Sequence, residues 1–240
     1  MQTITACGDF AAINRTLRES TDDSFVIENC LGERFVGAGL SGKKIRINGI
    51  PGNALGAYLN GAEIEVFGNA QEAVGDTMNA GSIVIHGRVG DAAGYAMRGG
   101  KIFIKGSAGY RTGIHMKAYR DKSPVMVIGG RCGSFLGEYL AGGAIVVLGM
   151  HDDGKCVVGN FPCTGMHGGK VFIRGSLEGA RFPSGVTVRD ATDDDLSEIR
   201  SDIAEYCRVF GIDETLVWSE RFTVITPNSS NPYKQMYVEN

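Results

Sequence analysis

A chain of 240 residues has room for one large domain or for a repeat array with terminal extensions. A formal net charge of −3 and a pI near 5.8 give no basis for binding nucleic acid or an anionic membrane. No apolar run approaches the ~20 residues of a membrane-spanning helix, and the first residues lack the pattern of a signal peptide. With six cysteines and no C-x-x-C pair among them, the expectation is a cytoplasmic protein with reduced thiols.

Residues 1–42 read as an N-terminal cap and a first, irregular coil. Phe10, Ile13 and Leu17 stand at helical spacing with Asp9 placed to cap them. Phe25-Val-Ile and Arg34-Phe-Val are apolar pieces of the irregular coil. A solenoid needs such a cover, because its terminal coil otherwise exposes unpaired strand edges.

Residues 43–175 repeat. Short apolar runs end in glycine at Gly49, Gly68, Gly87, Gly106, Gly129, Gly149 and Gly175, spaced by 19, 19, 19, 23, 20 and 26 residues. A period of this kind is the signature of a solenoid. Two and four residues before each glycine stand Ile47/Ile45, Val66/Ile64, Ile85/Ile83, Ile104/Ile102, Val127/Val125, Val147/Ile145 and Ile173/Val171. All are β-branched, and alternation at period 2 puts them on one face of a strand. A second column, Leu59, Met78, Met97, Met116, Leu140 and Met166, fills a corner of the cross-section. The ladder Gly56, Gly75, Gly94, Gly113 and Gly137 marks another corner, where the backbone needs a left-handed conformation. These columns predict an all-β fold: a single-stranded parallel β-helix of about seven coils, right-handed by the crossover rule.

The outward strand positions run Arg46, Glu65, Val84, Phe103, Met126, Val146 and Phe172, apolar from the third coil onward. Residues 176–240 supply a cover. The segment 193–210 is amphipathic, with Leu196, Ile199, Ile203, Tyr206 and Phe210 on one face, a capping box at Thr192 and Asp195, and Gly211 as stop. It is predicted to pack on the stripe, with a partner subunit as the competing cover. A short helix around Glu214–Trp218, the run Phe222-Thr-Val-Ile-Thr-Pro and a polar tail follow.

Two inserts break the period, one after Gly106 and one after Gly149. Solenoids place insertions on one face, often the binding face. The interface candidates are therefore His115, Met116, Lys117 and Tyr119 in the first insert, and His151, Asp152, Met166 and His167 in or beside the second. His151, Cys156, Cys163 and His167 offer ligand atoms, but their spacing matches no zinc module. No local pattern supports a cysteine nucleophile. The runs Asp152-Asp153 and Asp193–Asp195 fit a solvated loop and a helix N-terminus. Gly90-Asp-Ala-Ala-Gly-Tyr precedes no helix, so it fits a corner better than a phosphate cradle. No catalytic, cofactor or metal residue is assigned.

The form G-x₄-G-G-x-hydrophobic-x-hydrophobic-x-G in Gly94–Gly106 and Gly137–Gly149 resembles the GXGXG family. That family includes the C-terminal β-helix domain of the glutamate synthase large subunit and one of the subunits of formylmethanofuran dehydrogenase. Gly113-Ile-His-Met-Lys-Ala-Tyr, Gly165-Met-His-Gly-Gly-Lys-Val-Phe-Ile-Arg-Gly175 and the tail Trp218-Ser-Glu-Arg-Phe-Thr-Val-Ile-Thr-Pro227 resemble the glutamate synthase branch. The resemblance implies a non-catalytic scaffold, standing alone as in split systems such as N-methylglutamate synthase. Its implied partners are an amidotransferase, which releases ammonia with an N-terminal cysteine, and a synthase subunit carrying FMN and an iron–sulfur cluster. Cys7 does not take the nucleophile's place, since Met1 precedes it. The alternatives are the formylmethanofuran dehydrogenase subunit and a free-standing structural or binding β-helix.

Overall fold

The computed structural model describes residues 1–150 and 156–229. Strand β1 (Gln2–Thr5) and helix α1 (Phe10–Glu19) precede the rungs β2 (Ser24–Leu31), β3 (Lys44–Ile50), β4 (Asn60–Phe67), β5 (Ala80–Ile85), β6 (Lys101–Ile104), β7 (Val125–Ile128), β8 (Ala141–Val147) and β9 (Gly168–Arg174). Each rung pairs in parallel with the next. The result is a parallel β-solenoid of about 8 turns. The turn beyond the expected seven is β2, a regular rung pairing Phe25 with Ile45 and Ile27 with Ile47. A register shift between Ile27 and Cys30 breaks its alternation, which is why the sequence there looks irregular.

Inside the solenoid the β-branched columns are shut away from water. Ile47, Val66, Ile83, Ile85, Ile102, Ile104, Ile145, Val147, Val171 and Ile173 are all buried, each contributing about 1.5–3 kcal/mol. The flexible column lies beside them, with Met78, Met97 and Met116 at 0% exposure. One rung departs from expectation. In β7 Val125 pairs with Lys101, so Met126 and Ile128 face the core and Val127 faces outward with Val146. The glycine in register is therefore Gly130, not Gly129. Gly129 has a separate role: a Cβ there would lie 2.1 Å from the hydroxyl of Tyr206.

Both ends are closed. Asp9 caps α1 by accepting from the Ala12 amide at 2.9 Å, and Ile13 and Leu17 cover the first coil. Phe10, expected on that buried face, is instead 42% exposed, its ring 6.3 Å from that of Phe35. At the far end lie β10 (Val186–Asp190), α2 (Asp193–Phe210), α3 (Glu214–Trp218) and β11 (Phe222–Pro227). Strand β11 pairs antiparallel to β9 and β10 antiparallel to β11, completing one 11-stranded sheet. Parallel stacking, expected throughout the repeats, ends with β9.

Helix α2 lies on the outer apolar stripe. Ile199, Ile203, Tyr206, Cys207 and Phe210 form one buried cluster with Phe103, Val127, Val146, Leu148 and Phe172. Its polar edge is held as well. Lys170 meets Asp195 at 3.0 Å and Glu198 at 2.7 Å, and Lys101 meets Asp202 at 2.8 Å and Glu205 at 2.5 Å. The helix thus runs back from the last rung toward the middle of the solenoid.

Asp195 does more than pair. Its carboxylate also meets Arg189 at 2.6 Å and completes the capping box with Thr192. The Arg189 hydrogen bonds lead in holding its pKa well below the usual carboxylate range; burial opposes them, and bonds from Thr192 and Lys170 add to them. A depressed folded pKa gives stability that is present above the unfolded value near 3.9 and is lost as pH falls through the folded one. Asp195→Asn is expected to lower stability at pH 7 by about 2 kcal/mol. Urea melts across a pH series should also show the variant losing part of the wild-type decline below about pH 4. Equal pH profiles would show that the carboxylate is not the source.

A candidate docking face on the turn side

Before each rung from β3 onward the chain rounds a corner with alternate residues in the left-handed region. The middle column holds glycine, as in Gly56 (φ 63), Gly75 (φ 69) and Gly113 (φ 71). A side chain at Gly75 would come within 2.5 Å of Ile102. The flanking columns are not glycine: Phe35, Ala54, Ala73, Ala92, Arg111, Phe135 and Phe161 on one side, and Tyr58, Thr77, Ala96, His115 and Tyr139 on the other, all at φ between 50 and 61. Bulky side chains are uncommon there because Cβ crowds the following carbonyl.

Stacking one coil on the next brings the rings together. Tyr110 and Phe135 have centroids 5.2 Å apart, and Phe135 and Phe161 also 5.2 Å. The Arg111 guanidinium lies 4.9 Å from the Tyr110 ring and 5.6 Å from that of Phe135, while its Nε donates to Glu138 at 2.9 Å. Alongside runs a second ladder: His115 stacks on Tyr139 at 5.0 Å and 9°, with Tyr95 edge-on at 6.0 Å. Much of this surface is open, Phe161 at 61% and Tyr58 at 58%.

The first insert folds against the same face. Tyr119 and Lys122 form an antiparallel bridge. The loop encloses a cleft of about 450 Å³ with Tyr58, Asn60 and Asn79, its own wall being Tyr119, Arg120, Asp121 and Lys122. A second groove, of about 530 Å³, lies on the strand face where α2 stops. Beside it Arg46 sits 3.9 Å over Phe67, Phe67 stacks on His86 at 4.3 Å, and His86 meets Glu65 at 2.9 Å.

The candidates named from sequence divide accordingly. His115, Lys117 and Tyr119 are exposed on the turn side. Met116 and Met166 are corrected to core residues, at 0% and 2% exposure, because they belong to the corner-filling column. His167 is half-buried with Nδ1 3.0 Å from the Gly165 carbonyl. His151 and Asp152 lie outside the described residues. Cys163 takes the place of a corner glycine at φ 60, and burial pushes its thiol up to about 12. Among the described residues, no group of three or more side chains is arranged to hold a metal ion, and no helix is long and apolar enough to cross a membrane. Tyr95, Tyr110, Phe135, Tyr139 and Phe161 were missed. Phe135 and Phe161 share one flanking column and Tyr139 stands in the other, with Tyr95 and Tyr110 beside them, so a coil-by-coil alignment of the repeats would have gathered them.

One continuous sheet, a glycine corner repeated in coil after coil and an apposed C-terminal helix define the class: a glycine-ladder β-solenoid. The GXGXG motif family matches residues 15–228, and the chain belongs to that family. It is 43% identical over 235 residues to the uncharacterized protein MJ1350 of Methanocaldococcus jannaschii, spanning 94% of this chain and 90% of that protein. Among solved structures it resembles a chain in the crystal structure of the formyltransferase/hydrolase complex (FhcABCD) from Methylorubrum extorquens with methylofuran. The TM-score is 0.66 at 27% identity, covering 85% of this chain and 73% of the other.

Proposed function

We propose that this chain is a non-catalytic scaffold subunit of a cytoplasmic complex of glutamate-synthase type. In this reading it holds a glutamine amidotransferase and an FMN-binding synthase subunit in register, so that ammonia passes from one to the other. FMN and the iron–sulfur cluster belong to the synthase partner. The observation that carries the reading is the open aromatic ladder on a rigid solenoid. Exposed rings at strained backbone positions do little for the fold that glycine or alanine would not do, yet they suit a protein surface. The motifs from Gly113, from Gly165 and from Trp218 support the glutamate-synthase branch.

Reconstitution tests it. The three purified chains, mixed and assayed with 2-oxoglutarate, a two-electron donor to the flavin, and either glutamine or ammonia, should show glutamine-dependent turnover that rises on adding this chain. Ammonia-dependent turnover should change little. No effect on either, with no complex formed, would remove the proposal. A second reading is favoured by the likeness to a chain of the formyltransferase/hydrolase complex: a subunit of the formylmethanofuran dehydrogenase type. Binding to formyl-transferring subunits in place of the synthase pair would select it.

A further inference from the structure

We infer that the free edge of β10 joins a second copy of this chain, the two β10 strands pairing antiparallel about Val188 on a two-fold axis. Strand β10 ends the 11-stranded sheet, with β11 on one side and no described strand on the other. Four of its five residues are exposed, Val188 at 40%. Such an edge is a row of backbone donors and acceptors open to another strand.

The hydrogen bonds identify the free groups. Toward β11 the Asn228 amide donates to the Gly185 carbonyl and the Ala191 amide to the Phe222 carbonyl, both at 2.9 Å. Antiparallel ladders alternate, so Thr187 and Arg189 also turn their backbone groups toward β11. Val186, Val188 and Asp190 turn theirs to the open side. Two of those groups are already engaged. The Val186 amide donates to the Pro183 carbonyl at 3.4 Å, and the Asp190 carbonyl accepts from Arg189 at 3.1 Å. What remains, among the described residues, is the Val186 carbonyl, both groups of Val188 and the Asp190 amide.

That remainder is self-complementary. Pairing about Val188 sets each Val188 amide against the other copy's Val188 carbonyl, and each Asp190 amide against the other's Val186 carbonyl. The further bond of this register, from the Val186 amide to the Asp190 carbonyl, links the two groups already satisfied within each chain. A shift of two residues would set free groups against satisfied ones, and so would an ordinary strand with every edge group open. The side chains agree, since Thr187 falls opposite Arg189, Val186 opposite Asp190, and no like charges meet. A contact of this kind closes on itself as a dimer, with two solenoids end to end. Leu177, Ala180 and Phe182, half-buried on the core between β9 and β10, lie at that end.

Sedimentation equilibrium of the full chain tests the pairing. Wild type should approach twice the 25.5 kDa of one chain as concentration rises. Its Val188 and Asp190 amides should exchange hydrogen more slowly in the dimer. Val188→Pro removes an amide that points away from β11, and should hold the single-chain mass throughout. Val188→Asp sets two carboxylates face to face and should do the same. Should Val188→Pro melt early, Val188→Asp decides, because that side chain is exposed in one copy.

A wild type that stays at single-chain mass overturns the inference, and so does a dimer that survives Val188→Asp. Mass climbing beyond two copies would place β10 on β1 of the next chain in an open stack, and would overturn the two-fold. The scaffold reading is untouched by these outcomes, since it stands or falls on the reconstitution.

Discussion

Phe103→Asp is expected to detach α2 from the solenoid. Phe103 is 2% exposed and meets Tyr206 edge-to-face at 5.9 Å, in a cluster drawn from successive strand rungs, α2 and the chain beyond it. Emptying such a site costs about 3–5 kcal/mol, and a buried unpaired carboxylate adds several more. Undocking the helix relieves both, because the carboxylate then meets water while the inward columns stay packed. The expected result is therefore partial: early loss of helical circular dichroism and rapid proteolysis between Asp193 and Phe210, with strand signal retained. Phe103→Leu should cost less than about 2 kcal/mol. A single cooperative transition for Phe103→Asp, with helix and strand lost together, would show that α2 and the sheet form one unit.

Gly68→Ala should be strongly damaging as well, although it adds one carbon. Its Cβ would lie 2.1 Å from the carbonyl oxygen of Gly49, the equivalent residue one coil away. Neither atom belongs to a flexible side chain, so two coils must part and ladder hydrogen bonds must lengthen. A loss above about 4 kcal/mol is expected, at the far end of single substitutions. Gly39→Ala gives the contrast. Nothing lies within 4 Å of its added carbon, and the cost is the left-handed backbone (φ +70) alone, about 1 kcal/mol. Equal denaturant midpoints for the two variants would mean that coil spacing yields more than its hydrogen bonding suggests.

Most of the solenoid was legible because each coil repeats one chemical pattern. Ile64/Val66, Ile83/Ile85 and Ile102/Ile104 recur at the same two places in successive coils, and that alternation fixes which face is inside. The error at β7 has the same cause in reverse. Val125, Met126, Val127 and Ile128 are apolar at every position because the core lies on one side and α2 on the other. With both faces covered, alternation disappears and only the adjacent pair Gly129-Gly130 remains to set register. Choosing the first glycine moved Met126 outward and Val127 inward. Strand β10 was missed because four of its five residues are exposed, which leaves no apolar rhythm to detect.

The candidate face on the turn side was legible only in part. His115, Lys117 and Tyr119 lie beside a break in the period, and that break drew attention to them. The ladder itself is assembled across coils, Tyr110 meeting Phe135 and Phe135 meeting Phe161, so no single coil contains it. Proximity in sequence also misled: Met116 sits between two surface residues yet points into the core, because left-handed and extended residues alternate at the corner.

Constant coil height gives the molecule a graduated length. From β2 to β9 there are seven steps of ~4.8 Å, or roughly 34 Å. Any insertion that keeps the ladder intact must either loop out sideways, as the first insert does, or add a whole coil. Descendants of this chain can therefore change the distance between its two ends only in quanta of one rung, the way a ratchet moves by teeth.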